Sequence, residues 1–143
     1  MPKDYHSTLQ FGSVVQNLAR VEDEIDGLLN RGVLTESTYG NVIVAATEAT
    51  LNAIYHGNQS KPEKLVTVDI RMKGKQLIIR VDDEGSGFNY DELPDPTDPE
   101  NIEKGHGRGL FIIRNLCDNV EFERNGATVI LTFELDVNEL IEA

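Results

Sequence analysis

The stretch that decides the fold is Glu48-Ala-Thr-Leu-Asn52-Ala-Ile-Tyr-His56-Gly57. Its polar residues recur at every fourth position, so on a helix Glu48, Asn52 and His56 share one face. Apolar residues flank that face, so the polar groups should lie near the protein interior, where they need partners. Asn52 offers a neutral amide oxygen that suits Mg²⁺ beside phosphates. Glu48 can orient or deprotonate a nucleophile that attacks a γ-phosphate.

The alternative for this stretch is a helix whose polar stripe faces water. That interpretation is favoured for Glu48 taken alone, whereas the three residues together, ending at Gly57, favour a site. His56 stays open between a nucleotide contact and an interaction with the last carbonyls of the helix.

A second segment, Asp83-Glu-Gly85-Ser-Gly87-Phe88, directly follows an apolar strand pattern. Its two glycines allow the backbone to turn sharply and to approach a flat ligand closely. The Asp83 carboxylate can accept a hydrogen bond from an exocyclic amine such as that of adenine. In isolation the segment is better explained as an acidic β-turn, and EF-hand spacing for Ca²⁺ is absent.

A third segment, Gly105-His-Gly107-Arg-Gly109-Leu110, leads into an apolar helix pattern. A glycine-rich start to a helix favours phosphate, because free N–H groups and the helix dipole face the anion there. Lys104 and Arg108 can add positive charge. The spacing fits neither the Rossmann fingerprint nor a P-loop, and a flexible hinge with helix caps is the alternative.

Length and charge limit the possible functions. The 143 residues suit one domain, predicted to span residues 1–143. The net charge of −12 argues against DNA, RNA and anionic membranes, whose phosphates need Lys and Arg, but not against a bound nucleotide. No apolar run is long enough to span a bilayer and no signal peptide is evident, which predicts a cytoplasmic location. The single cysteine, Cys117, is predicted to be a buried structural thiol.

Periodicity along the chain predicts the order β-α-α-β-β-lid-α-β-β. The first helix should be capped by Ser13 and end at Gly32, and the second should start at Thr35 and run to about residue 55 or 56. A lid is predicted at about residues 89–108, since three prolines and many acidic residues there oppose regular structure. The predicted fold class is α+β, a two-layer sandwich with helices on one face of a mixed, mostly antiparallel sheet. Strands are predicted at 5–12, 66–72, 76–81, 120–123 and 128–135, and a third helix at 110–116.

The order and spacing of the three segments resemble those of the GHKL ATPases. The matching text is Glu48-xxx-Asn52-Ala53-xx-His56-Gly57, Asp83-x-Gly85-x-Gly87-Phe88 and Gly107-Arg-Gly109-Leu110-Phe111-Ile112-Ile113-Arg114-x-Leu116-x-Asp118-x-Val120. The last run is the most specific, and the resemblance spans about residues 7–135. Within the group, the chain is most similar to the bacterial anti-sigma factor serine/threonine kinases of partner-switching systems.

The resemblance implies the Bergerat ATP-binding fold, with ATP and Mg²⁺ as cofactors. It implies that Glu48 is the catalytic base, that Asn52 is the metal ligand and that Asp83 contacts adenine. The glycines shape the nucleotide site and the lid. The full set of implied nucleotide-binding residues is Asn52, Asp83, Gly85, Gly87, Gly105, His106, Gly107, Arg108 and Gly109.

The resemblance also implies a reaction and partners. ATP would phosphorylate a Ser or Thr of a STAS-domain anti-anti-sigma protein, and the unphosphorylated antagonist would release a sigma factor or another regulator. A homodimer is implied as well. Two other hypotheses are a nucleotide-binding module that sequesters a regulator without phosphate transfer, and slow ATPase activity alone.

Two positions depart from the family pattern. Ala127 stands where a Thr usually touches the adenine side, and Thr128 should point to the opposite face of its strand. Some members carry an Arg before the third segment's glycines, where this chain has Lys104 or Gly105, and Arg108 is a possible substitute.

Overall fold

The structure is a computed structural model that describes residues 5–86 and 108–135. Within these ranges the order of elements is the predicted one. The strands are β1 (Tyr5–Gly12), β2 (Leu65–Lys73), β3 (Gln76–Asp82), β4 (Asn119–Glu123) and β5 (Thr128–Glu134). The helices are α1 (Leu18–Asn30), α2 (Glu36–Asn52) and α3 (Arg108–Leu116).

The five strands form one sheet in the order β1-β2-β3-β5-β4. Every strand pair in the described ranges is antiparallel, so the predicted α+β class is confirmed, but no parallel pair was found there to make the sheet mixed. A row of apolar residues on the helix-facing side illustrates the register: Val68 pairs with Val81, and Val81 pairs with Val129.

Alternation of residue types explains why one face of the sheet is buried. In β2, Val66, Val68 and Ile70 are fully buried, whereas Thr67 and Asp69 between them are partly exposed on the other face. A period of two places successive side chains on opposite faces, so apolar residues at alternate positions commit one face to the core.

Helix α2 covers the buried face of the sheet, and α1 and α3 pack beside it. Its buried residues are mostly small, with Ala45, Ala46 and Ala49 between larger neighbours. Small side chains let the α2 backbone approach the neighbouring elements closely. That brings the polar residues on its flank near the ends of the strands and the start of α3.

The helix boundaries bear out two predictions and correct one. Gly32 ends α1 in a left-handed conformation, with the Gly32 and Val33 N–H groups bonded to the Leu29 and Leu28 carbonyls, and Thr35 caps α2. Ser13 is not the cap of α1, which begins only after a short 3₁₀ turn at Val15–Asn17. Ser13 is instead 1% exposed, and its hydroxyl is bonded to Lys64 and Asn58.

Cys117 lies after α3 and is only partly buried against the core, whereas the sequence predicted a buried structural thiol. Burial, and secondarily the charge of Asp118, raise the pKa of the Cys117 thiol to about 12. The thiol therefore stays protonated at neutral pH.

Across residues 5–86 and 108–135, no helix has both the length and the apolar character needed to cross a membrane.

Candidate functional site

The site is built around the last turns of α2, where the winding changes. The α-helix ends at Asn52 and continues as a π-helical turn over Ala53–Gly57, so the prediction of an α-helix to residue 55 or 56 is corrected. Glu48 and Asn52 lie on the regular part, one turn apart, and both are half-buried. His56 lies in the π turn and is exposed, so the shared-face argument holds for Glu48 and Asn52 only.

Gly109, in the first turn of α3, meets the polar flank of α2. A methyl group at Gly109 would lie 3.0 Å from Asn52 Nδ2, 3.1 Å from Asn52 Oδ1 and 3.1 Å from Glu48 Oε2. The carboxylate of Glu48 and the amide of Asn52 therefore converge on one point at the N-terminus of a helix. The free N–H groups of such an end attract phosphate.

Asp83 follows β3 and is 9% exposed. Its N–H donates to the Ala127 carbonyl at 2.9 Å, and its Oδ1 accepts from the Gly85 N–H at 2.7 Å. Burial raises the pKa of Asp83 above its ordinary value, while the Gly85 N–H and the Arg124 guanidinium act in the opposite direction. Among the described residues no donor reaches Asp83 Oδ2, so that oxygen can accept a hydrogen bond from a ligand.

Two glycines allow Asp83 to occupy this position. A methyl group at Gly57 would overlap the Asp83 carboxyl group, at 2.7 Å from Oδ1 and closer still to Oδ2. A methyl group at Gly85 would overlap the Gly57 carbonyl and lie 2.9 Å from Asp83 Oδ1. The π turn and the Asp83–Gly85 turn thus approach each other more closely than side chains would permit.

Asn58, the residue after the π turn, joins these two turns. It is 2% exposed, and its Oδ1 accepts from the Glu84 N–H at 2.7 Å. Its Nδ2 donates to Ser13 Oγ at 2.8 Å and to the Leu65 carbonyl at 2.9 Å. The only sequence signal for this role was an Asn directly after Gly57, and an Asn at a helix end is ordinary.

Arg124 contacts the end of β3 from the side of the sheet, opposite Asn58. Its backbone is left-handed (φ 49°), its Nη2 donates to the Asp83 carbonyl at 2.8 Å, and its Nε donates to Thr128 Oγ1 at 2.8 Å. Sequence reasoning missed it because it lies 41 residues from Asp83.

Ala127 departs from the family pattern, and the neighbouring Thr128 does not take the place of the missing threonine beside Asp83. Thr128 pairs with Asp82 across the sheet, and its hydroxyl donates to the Asp82 carboxylate. The Thr128 side chain therefore serves the strand pair rather than Asp83, as the alternation of the strand predicted.

The other predicted site residues are only partly described. Gly87, Gly105, His106 and Gly107 lie outside the described residues, as does nearly all of the predicted lid at 89–108. Arg108 is the first residue of α3, so the lid prediction ran one residue into a helix.

The donor set near Gly109 suits a hard cation. No group of three His, Cys, Asp or Glu side chains in residues 5–86 and 108–135 is placed to hold a metal by itself. Asn52 Oδ1 is a hard, neutral oxygen donor, the type that Mg²⁺ binds together with waters and phosphate oxygens. The residues present therefore fit Mg²⁺ delivered with a nucleotide.

Comparison with known families defines the class of protein. The family model of the histidine kinase-like ATPase domain matches residues 12–133. The chain belongs to this family, which confirms the resemblance drawn from the three segments. Its nucleotide is therefore ATP.

Curated relatives narrow the comparison. The chain is 31% identical over 131 residues to the anti-sigma F factor of Bacillus cytotoxicus, covering 87% of this chain and 88% of that protein. It is 26% identical to the anti-sigma F factor of Oceanobacillus iheyensis, covering 94% and 95%. It is 22% identical to the serine-protein kinase RsbW of Listeria innocua, covering 94% and 90%.

Proposed function

We propose that this chain is an ATP-dependent serine/threonine protein kinase and an anti-sigma-type regulator. In a bacterial partner-switching system it would phosphorylate a STAS-domain antagonist. The observation that carries the proposal is the convergence of Glu48 and Asn52 on Gly109 at the start of α3. That arrangement supplies a base, a metal ligand and a phosphate-binding helix end within one site.

Each of these residues has a distinct role in the proposed reaction. Glu48 accepts the proton of the partner's Ser or Thr hydroxyl as the hydroxyl oxygen bonds to the γ-phosphorus. The bond between that phosphorus and the β–γ bridging oxygen breaks, which leaves ADP. Asn52 would hold Mg²⁺, which offsets negative charge on the phosphate oxygens.

The base end of the nucleotide is assigned to Asp83. Its Oδ2, which no donor among the described residues reaches, would accept from the exocyclic amine of adenine, an interaction that guanine, with a carbonyl at that position, cannot make. Gly57 and Gly85 leave the space that keeps the carboxylate in place. The adenine amine would then be bound at the end of β3, and the triphosphate would be bound by α2 and α3.

The names of the related proteins support the choice of partners. The anti-sigma F factors point to a sigma factor or a similar regulator as the sequestered target, and the serine-protein kinases point to phosphorylation of a serine. We further propose a STAS-domain anti-anti-sigma protein as phosphoacceptor, a homodimer as the working form and the cytoplasm as its location.

Phosphate transfer is tested by incubating the protein with [γ-³²P]ATP, Mg²⁺ and a cognate STAS protein. Label on a Ser or Thr of the partner is the expected result. Tight nucleotide binding without label on the partner would favour the alternative, a partner-switch module that sequesters a regulator without transfer. Label released only as free phosphate would favour slow ATPase activity.

A further inference from the structure

Asn58 occupies a junction that none of the proposed catalytic steps uses. Its side-chain amide is buried and uses both donor hydrogens and one acceptor position within the protein. A side chain this deeply buried and this completely paired is fixed in one orientation, since any other would leave several polar groups without partners.

The partners of Asn58 come from four separate parts of the chain. Ser13 follows β1, Leu65 opens β2, and Glu84 belongs to the turn after β3. The backbone N–H of Asn58 itself bonds to the Ala53 carbonyl in the π turn at 2.8 Å. One amide therefore ties the end of α2 to the starts or ends of three strands.

The bond to Glu84 is the one that bears on the site. It holds the peptide group that directly follows Asp83, on the side of the helices. On the sheet side, the Ala127 carbonyl and the Arg124 guanidinium hold the Asp83 N–H and carbonyl. Between these two attachments, the Asp83 carboxylate lies against Gly57, the residue next to Asn58.

A second contact reinforces the same turn. The Glu84 carboxylate accepts from the Leu65 N–H, and the Leu65 carbonyl accepts from Asn58. Ser13 completes the set by donating to the Lys64 carbonyl at 2.7 Å while it accepts from Asn58. Loss of the amide would free the Asp83–Gly85 turn from the π turn while leaving its attachment to the sheet.

We propose that Asn58 is a positioning residue that places the Asp83 carboxylate for recognition of the adenine amine. It thereby sets the preference for ATP over purine triphosphates without that amine. The inference rests on the proposed role of Asp83. Asn58 has no part in the proposed nucleotide and metal contacts and acts through the Glu84 peptide.

The test compares binding of ATP and inosine triphosphate, which carries a carbonyl in place of the amine. Calorimetric titration with Mg²⁺ gives the ratio of the two dissociation constants. The parental protein should prefer ATP by about tenfold or more, the size expected for a hydrogen bond to a charged group. Asn58→Ala should lower the ratio about tenfold, through weaker ATP binding, while inosine triphosphate binding changes little.

Ile70→Ala is the matched control, because it destabilises the fully buried core of β2 without touching the Asn58 contacts. It should lower the melting temperature and keep the parental ratio. Ser13→Ala is a milder second variant, since it removes one acceptor of the Asn58 amide and leaves the bond to Glu84. It should lower the ratio about two- to threefold.

A folded Asn58→Ala protein with the parental ratio overturns the inference. If that variant does not fold, an unchanged ratio in Ser13→Ala overturns it, and a lowered ratio supports it. A parental protein that binds both nucleotides equally also overturns it. Phosphate transfer plays no part in these measurements, so a protein that discriminates but transfers nothing contradicts the kinase proposal alone.

Discussion

At Asp83, burial acts against ionisation. Desolvation raises the pKa of Asp83 above its ordinary value of 3.8, and the Gly85 N–H and Arg124 offset part of that effect. The folded protein thus holds this proton more tightly than the unfolded chain does. The resulting stability is fully present below the unfolded pKa and is lost as the pH rises through the folded pKa. A donor supplied by adenine would relieve this burial cost at neutral pH.

A pH dependence of nucleotide preference follows from Asp83. Protonation removes the charged acceptor, so the preference for ATP over inosine triphosphate should fall as the pH drops through the raised pKa of Asp83. In Arg124→Gln the pKa of Asp83 should rise further, which moves the midpoint of this loss to higher pH. Binding titrations of both nucleotides at several pH values measure this midpoint. Inosine triphosphate serves as the reference, because protonation of its phosphates affects its binding in the same way as that of ATP.

Arg114→Gln serves as the control for that shift, because Arg114 stacks on the Phe122 ring and has no part in the Asp83 contacts. It should keep the parental midpoint. Coincident midpoints for Arg124→Gln and the parental protein would contradict the electrostatic role of Arg124.

Glu48→Gln separates binding from chemistry. The amide retains the shape of the side chain but cannot accept the hydroxyl proton, so ATP affinity should stay within about twofold. Phosphate transfer should fall by about 100-fold or more. Rates of label transfer to the STAS partner measure this, with Glu121→Gln, on exposed β4, as a matched loss of one charge. Parental transfer by Glu48→Gln would exclude Glu48 as the base.

The sequence was sufficient to predict the residues that would carry the chemistry. It was not sufficient to predict the residues that fix their positions. Glu48, Asn52 and Asp83 stand at recognisable spacings, and the structure brings Glu48 and Asn52 to one point beside Gly109. Asn58, Ser13 and Arg124 meet their partners only in the folded chain. Ser13 and Asn58 lie 45 residues apart, a pairing that no local pattern encodes.

At the scale of elements, the π turn over Ala53–Gly57 is the feature that joins helix to strand end. A wider turn redirects the backbone after Asn52, so that Gly57 comes against Asp83 and Asn58 points into the protein. Such turns are frequent at functional sites. The sequence predicts a helix through this segment but not its winding, since the same residues suit either form.

Gly57→Ala should damage the site through this close approach. The added methyl group overlaps the Asp83 carboxylate, so the turn must shift, and ATP affinity should fall by at least about tenfold. Gly40→Ala is the matched control on α2, because beyond its own helical turn no atom of the described residues lies within 4 Å of the added group. It should keep ATP affinity and raise the free energy of unfolding by about 0.5–1 kcal/mol. Equal ATP affinity in both variants would show that the glycine is not needed for space.

The boundaries of the strands were the most predictable part of the fold. Residues 66–72 and 76–81 were predicted, and β2 and β3 extend these by a single residue at most at each end. In these strands the alternation of apolar and polar residues directly predicts which side chains are buried. The predicted start of α1 was wrong. Ser13 is a suitable residue type for a helix cap, but its hydroxyl is bonded to the buried amide of Asn58 instead.

For the whole molecule, stability depends on the buried face of the sheet and on α1, α2 and α3, the helices of the described ranges that form the core with it. Leu131 faces that core and is fully buried, whereas Ile130 lies on the opposite face between Arg80 and Glu121. Leu131→Ala should lower the free energy of unfolding by about 2–5 kcal/mol. Ile130→Ala should lower it by less than about 1.5 kcal/mol, measured by urea denaturation. Similar losses in both variants would contradict a core on one face only.

The state of Cys117 has a practical consequence for spectroscopy. With a thiol pKa of about 12, roughly one molecule in 10⁵ carries the thiolate at pH 7. Maleimide dyes should therefore react slowly with the native protein. Ser86→Cys, at an exposed position beside the Asp83–Gly85 turn, would then give a single fast attachment point without removal of the natural cysteine. A fluorophore there would report nucleotide arrival in real time.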